Sequence, residues 1–293
     1  MTTRLPTLGR TQFDMAVTVD DLPAFGSLPP GASRAGVVRQ MLQSMRAQGI
    51  TGSVGFVNGV AVQSDPTNLE VLRAWVEAGH ALGNHTWSHV ALSRVGAERF
   101  LADAERNEAL LGVLQTDAVP RWFRHPELDD GDTAADRDRA NAWLAAQGYR
   151  VVPVTMAVQD YQFHEPFVRC VEHGDNDGMG WARDAFLANA RRRIERTLAF
   201  THATFGRQPP HVLLVHPSAF MAVVLPDLLA LCAELGGRFV PVAEAMADDF
   251  YATGAAPGDV SFVDIRMGGR GNTLKSLNDM PLERLSAIGA PTM

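Results

Sequence analysis

An α/β fold, a distorted and incomplete (β/α) barrel of about seven parallel strands, is what this 293-residue sequence predicts. Short apolar runs alternate with longer segments whose apolar residues recur at helical spacing, the pattern of parallel strands joined by crossover helices. Glycine or Asn-Gly closes many of these segments where the chain must turn. The chemically distinctive residues fall just after the runs, and in parallel α/β folds the carboxyl ends of the strands share one face.

The first strand is expected over residues 15–19, followed by a helix over 33–48 that stops at Gly49. Residues 52–57 form the second, closed by the turn dipeptide Asn58-Gly59. Asn68 caps a helix running to Ala78, and the short run 80–83 comes next. Over 97–114, Phe100, Leu101, Ala104, Leu110, Leu111 and Leu114 line one helical face. A strand at 121–123 leads into the acidic loop of Asp129, Asp130 and Asp132; a helix over 133–147 ends at Gly148, and valine-rich 150–155 is the fifth strand. A long helix over 181–205, a strand over 211–215, a helix over 225–235 stopped by Gly236-Gly237 and a strand over 239–242 complete the core. That is one strand short of a full eight-stranded barrel. With no repeat or linker to divide it, 1–293 reads as a single catalytic domain, its core about 15–247 and its C-terminal extension 248–293. The extension offers a strand at 260–265 before the turn-rich Gly268-Gly269-Arg270-Gly271.

A formal charge of −7 argues against a nucleic-acid partner, which needs concentrated positive charge to displace counterions. The basic cluster Arg191-Arg192-Arg193, with Glu195 and Arg196 beside it, reads as a solvated helix face. Cys170 and Cys232 make no disulfide framework. No window reaches the roughly 18 unbroken apolar residues of a membrane span. Residues 1–13 lack the apolar stretch of a signal peptide, so the chain as it stands is expected in the cytoplasm. Nothing in the sequence speaks to oligomeric state.

Asp20 and Asp21 are adjacent carboxylates at the end of the first run, and their repulsion is relieved where a cation takes one and the other remains a base. In His85-Thr86-Trp87-Ser88-His89 the two imidazoles are spaced to share one face of a helical turn. One carboxylate with two imidazoles leaves coordination positions open for water and substrate, as a catalytic site needs and a structural one avoids. Arg124, Asp160 and His216 follow the fourth, fifth and sixth runs, so the strand-end rule brings all of these residues together. Trp87, Trp122 and Tyr161 are candidates to line a substrate groove. His80, His164, His173, His202 and His211 lack a partner at ligand spacing and are expected to be structural.

In this order the motifs resemble those of the NodB-like polysaccharide deacetylases, carbohydrate esterase family 4. Thr18-Val19-Asp20-Asp21-Leu22 is similar to the family's T-F-D-D-G, and His85 to His89 to its H-S/T-x-x-H. Arg124-His125-Pro126 resembles the start of R-P-P-Y-G, Asp160-Tyr161 the D-W element, and Leu214-Val215-His216 the L-x-H element. The resemblance implies that Asp21, His85 and His89 bind a divalent metal ion, zinc first, with cobalt, nickel and manganese also suited to such ligands. It implies that Asp20 is the general base, oriented by Arg124, and that His216 is the general acid, oriented by Asp160. By the same resemblance the Glu127 amide is expected at the place of the family's oxyanion donor, with Pro126, Trp87 and Tyr161 expected on the substrate side. Leu22, the stretch His125-Pro126-Glu127-Leu128 and Pro217 depart from the family pattern, and they bear on the substrate more than on the reaction. Glu127 in particular removes a sugar-stacking aromatic. The expected activity is metal-dependent removal of acetyl groups from an N-acetylated or O-acetylated carbohydrate. Two alternatives stand beside it: hydrolysis of another non-peptide C–N bond, as in a cyclic imide or ureide, and a carbohydrate-binding relative without catalysis.

Overall fold

Strand β1 (Phe13–Leu22) is buried along nearly its whole length because it has neighbours on both edges. On one side β7 (His211–Val215) pairs with it from Met15 to Val19. On the other, β8 (Gly237–Phe239) pairs with its start and β2 (Val54–Val57) with its end. The computed structural model describes residues 12–116, 118–251 and 282–289. The strand expected at 260–265 and the glycine-rich stretch after it lie outside the described residues.

From β2 the sheet continues through β3 (Ala81–Asn84), β4 (Trp122–Phe123) and β5 (Arg150–Val151), and from β7 it ends on β6 (Met156–Ala157), every pair parallel. These seven strands form the open, curled half-barrel that the alternation of runs predicts, and β8, beside β1, answers to the strand expected over 239–242 but ends at Phe239, with Val242 opening a helix instead. The fifth expected strand, 150–155, is resolved differently. Only its first two residues pair with β4, and the chain then crosses to the opposite edge of the sheet, where β6 pairs with β7. Pro153 lies in the crossing and has no N–H to give a ladder. Val152 N–H donates to Phe123 O at 2.8 Å and Thr155 N–H to Val212 O at 3.2 Å, so four residues bridge the two edges without closing the barrel.

The helices follow the apolar spacing with shifted ends. Helix α1 (Arg34–Ala47) starts under the cap of Ser33, whose Oγ accepts from Gly36 N–H, and stops at Gly49, where φ is +68°. The Asn58-Gly59 turn opens a short helix, α2 (Val60–Ser64), that the sequence does not announce. Asn68 does not cap α3 (Leu69–Glu77); it ends a one-turn 3₁₀ helix capped by Asp65, and its own side chain donates to Ala61 O. Helix α4 (Leu92–Leu114) begins before residue 97 and breaks at Gly96, where φ is +73°. Thr133, where the helix is expected to begin, is the N-cap of α5 (Ala134–Ala146), its Oγ1 accepting from Asp136 N–H. Helix α6 (Tyr161–His173) has no counterpart in the sequence reading, and α7 (Asn176–Phe205) extends past the expected start. Helix α8 (Ala219–Glu234) also starts early, and Gly237 enters β8 instead of stopping a helix. After α9 (Val242–Ala245), the short α10 (Leu282–Ala287) rests on α6, where Arg169 donates to Ser286 O at 3.2 Å.

Side-chain alternation along β1 divides the core. Met15, Val17 and Val19 face the helices with Met41, Trp75, Phe186 and Phe220, while Ala16 faces the barrel interior with Val54, Phe56, Trp122, Val152 and Val212. Thr18 and Asp20 continue the inward row, so the first carboxylate stands at the mouth of the barrel.

Packing is tight where β1 meets β2: a Cβ built on Gly55 would lie 2.1 Å from Leu22 Cδ1 and 2.9 Å from the Trp75 ring. Gly55→Ala is therefore expected to lower stability by about 1–3 kcal/mol in urea unfolding, the usual cost of overfilling a packed core. An unchanged midpoint would show that Leu22 yields freely.

Candidate active site

Adjacent strand residues normally point to opposite faces. At the end of β1, however, Asp21 has φ of +62° and the pairing with β2 shifts between Val19 and Leu22, an irregularity of the bulge type. This local twist lets Asp20 and Asp21 serve the same mouth.

The histidine motif is not a helical turn. Residues 85–91 form a loop in which Thr86 and His89 have φ of +58° and +56°. Polar side chains hold it: Asn58 Nδ2 donates to His85 O at 2.6 Å, and Asp103 on α4 accepts from the Ser88 N–H and hydroxyl, each at 2.8 Å. The result is the convergence the spacing implied, reached by another route. His85 Nε2 lies 3.5 Å and His89 Nε2 3.3 Å from Asp21 Oδ1, and candidate ligand atoms of all three residues lie within 4.8 Å of one another.

The donor set fits a divalent cation. Asp21 Oδ1 is buried and has no hydrogen-bond donor, an expensive arrangement for a carboxylate unless a cation takes it. The His85 ring donates its Nδ1–H to Arg124 O at 2.8 Å, which fixes the tautomer and leaves the Nε2 lone pair toward Asp21. Burial holds His85 below the ordinary histidine range despite the pull of Asp20 and Asp21, and a ligand imidazole must be neutral.

Asp20 is 3% exposed and meets the fully buried Arg124. Arg124 Nη1 donates to Asp20 Oδ1 and to Thr18 Oγ1, both at 2.7 Å, Nε donates to Val152 O at 3.0 Å, and the guanidinium lies 4.3 Å above the Phe56 ring. Across the mouth, Asp160 accepts from the His216 backbone N–H at 2.7 Å and from its Nδ1–H at 3.0 Å. That bond aims His216 Nε2 at the carboxylates, 3.9 Å from Asp21 Oδ2. Burial alone would lower the His216 pKa, but Asp160, then Asp21 and Asp20, outweigh it and raise it to about 9. The imidazole is thus a cation at neutral pH.

A cavity of about 410 Å³ joins these groups, walled by Phe25, Leu128, Gln159, Tyr161, Arg193 and Leu214. Glu127 sits on its rim with φ of +57° and pairs with Arg94 at 2.6 Å. The turn around it is closed by Leu128 N–H to His125 O and Asp129 N–H to Pro126 O, bonds in which the Glu127 amide takes no part. Tyr161, 45% exposed, lies 5.7 Å from the His216 ring. Other candidates are placed elsewhere: Pro126 is buried without lining the cavity, Trp122 is inside the barrel, and Trp87 packs under Arg106 at 4.3 Å.

Phe25, Gln159 and Arg193 are wall residues that the sequence reading misses, whereas Leu128 belongs to the stretch it assigned to the substrate side. Arg191 does pair with Glu234 on the surface, but Arg193 is buried and donates through Nε to Ala157 O at 2.6 Å. Its spacing from Phe186, Ala190 and Thr197, all buried on α7, carries the signal that it faces inward. His80, His164 and His211 are buried and bonded to Ser53 N–H, Ser27 O and the Thr155 and Gln208 side chains, as structural histidines are.

Residues 9–150 match the polysaccharide deacetylase family, a stretch that contains Asp20, Asp21, His85, His89 and Arg124 and stops before Asp160 and His216. A chitin deacetylase of Arthroderma benhamiae is 22% identical over 111 residues, 38% of this chain and 28% of that protein. Chitin deacetylase 2 of Saccharomyces cerevisiae is 32% identical over 74 residues, 25% of this chain and 22% of that protein. The matched stretch thus spans about a quarter of the length of these relatives, 28% and 22%. Among solved structures, the chitin deacetylase of Colletotrichum lindemuthianum superposes with a TM-score of 0.55 at 18% identity, covering 81% of this chain and 89% of that one. A family pseudoenzyme from Bacillus anthracis superposes with a TM-score of 0.56 at 16% identity, covering 81% and 66%. At such identities the superpositions establish the fold alone.

Removing Arg124 would strand the Asp20 charge in the barrel. Arg124→Met is expected to cost about 3–5 kcal/mol in urea unfolding, with part of the loss regained when Asp20→Asn is added. Simple additivity of the two substitutions would count against a coupled ion pair.

Proposed function

Because residues 9–150 belong to the polysaccharide deacetylase family, we propose that this chain hydrolyses the acetyl group of an N-acetylated carbohydrate, or of an O-acetylated one, with a divalent cation held by Asp21, His85 and His89. Fold likeness to a pseudoenzyme as well as to a chitin deacetylase says nothing of turnover, so the reading rests on residues. The observation that carries it is the placing of Asp20 and the Asp160-His216 pair on either side of Asp21, base and acid facing one small cavity.

Zinc is the first expectation for the cation, which when bound would polarise the acetyl carbonyl and acidify a water molecule. Asp20 Oδ1 is occupied by Arg124, and Oδ2 is the oxygen that takes a proton from the attacking water. The Glu127 amide donates to the oxygen that gains charge as the carbonyl carbon becomes tetrahedral. His216 keeps Nδ1–H on Asp160 and delivers its Nε2 proton to the departing nitrogen, or to the alkoxide of an ester. Water is consumed, the C–N bond breaks, and acetate and the free amine leave. The burial of Arg124 and Asp20 keeps bulk solvent from the base. Among the described residues no helix is long and apolar enough to cross a membrane.

Asp20→Asn is expected to retain the cation in elemental analysis while acetate release falls by about 10²–10⁴-fold, the usual contribution of a general base; unchanged turnover would sink the assignment. The acid side has its own signature. Asp160 holds the His216 pKa above the ordinary histidine value, so the protonated acid is lost, and turnover should fall, as pH rises through that raised pKa. Asp160→Asn removes the chief raising partner and should move the alkaline limb of the kcat profile to lower pH, together with a loss of about 10²-fold. A limb that stays in place would assign it to another group.

A further inference from the structure

The loop between β1 and α1 carries an aromatic ring that neither the motifs nor the catalytic scheme uses. Phe25 lines the active-site cavity, its ring centroid 4.8 Å from that of His216 with the planes at 39°, and the edge of His164 stands 5.7 Å away. The ring is carried on an unusually well-held stretch of loop. Arg34 on α1 donates Nη1–H to Phe25 O at 2.6 Å and Nη2–H to Gly26 O. From α6, Glu165 accepts from the Ser27 N–H at 2.9 Å and from its hydroxyl at 2.7 Å, while His164 donates Nε2–H to Ser27 O at 2.9 Å. Gly26 has φ of +60°, and a Cβ there would lie 2.1 Å from His164 Cδ2, so only glycine permits the close approach. Three consecutive residues are thus fastened to two helices, and the ring they present is preorganised against the acid.

We infer that Phe25 is a sugar-binding platform, stacking on the C–H face of the pyranose ring that bears the departing nitrogen. The inference rests on the deacetylation proposed above. Its direction comes from His216: the acid serves the nitrogen, the nitrogen is carried by the sugar, and the ring beside the acid therefore meets the sugar and not the acetyl methyl. It also accounts for Glu127. Where Glu127 leaves the rim of the cavity without an aromatic, Phe25 supplies one from the loop after β1, with Tyr161 as a second aromatic wall 5.7 Å from His216. An aromatic surface offers apolar contact area at little conformational cost, which suits a weakly polar sugar face.

The test is calorimetric binding of tri-N-acetylchitotriose to the full chain loaded with zinc, alongside acetate-release kinetics. Phe25→Ala should weaken binding and raise KM by about tenfold, with the loss falling in KM more than in kcat. Phe25→Trp should restore affinity, and Phe25→Leu, apolar but without a π face, should not. Glu165→Ala, which loosens the loop without altering the platform, should raise KM in the same direction by a smaller factor. Binding that is unchanged in Phe25→Ala, or restored equally by leucine, overturns the platform. Trimer bound by the wild type without acetate release overturns the deacetylase reading while leaving the platform standing, and a wild type that neither binds nor turns over the trimer overturns both.

Discussion

A single buried guanidinium ties the architecture to its mouth. Arg124 touches β1 through Thr18 and Asp20, the crossing segment through Val152 O and β2 through Phe56, while its own carbonyl orients His85. An unpaired charge in that interior would cost several kcal/mol, so Arg124 and Asp20 must be brought together for either to be tolerated. The seam of the half-barrel is set by the same contact, because Val152 is the first residue after β5 and its carbonyl faces the guanidinium.

The electrostatics of the mouth divide the histidines by partner. His85 has a carbonyl on one nitrogen and burial on all sides, and it stays below the usual range. His216 has a carboxylate on the equivalent nitrogen and is raised to about 9. Two imidazoles facing the same Asp21 therefore favour opposite protonation states, one suited to ligation and the other to giving a proton. The difference lies in a single acceptor, Arg124 O against the Asp160 carboxylate.

Much of this was legible in the order of residues. Alternating runs place the strands, and Ser33, Gly49 and Thr133 mark helix ends correctly because caps and left-handed stops are local chemistry. Reading fails where a long-range partner decides. Asn68 has the right type for a cap but bonds to Ala61; Pro153 splits a valine-rich run; Arg193 sits among charged neighbours yet turns inward. Phe25 is invisible as a wall residue because nothing near it in sequence says that α6 will fasten its loop beside His216.

The sequence by itself determined the parallel α/β class, the match of residues 9–150 to the polysaccharide deacetylase family and the chemical types gathered at the strand ends, since motif order, periodicity and spacing are properties of the chain alone. Only the tertiary structure decided how those types face one another. Asp20 and Asp21 are neighbours that strand geometry would send to opposite faces, and it takes the positive φ of Asp21 and a shifted pairing with β2 to bring both to one mouth. An aspartate tolerates the left-handed region better than most residues, but the shifted pairing that makes use of it is set by the strands on both edges of β1.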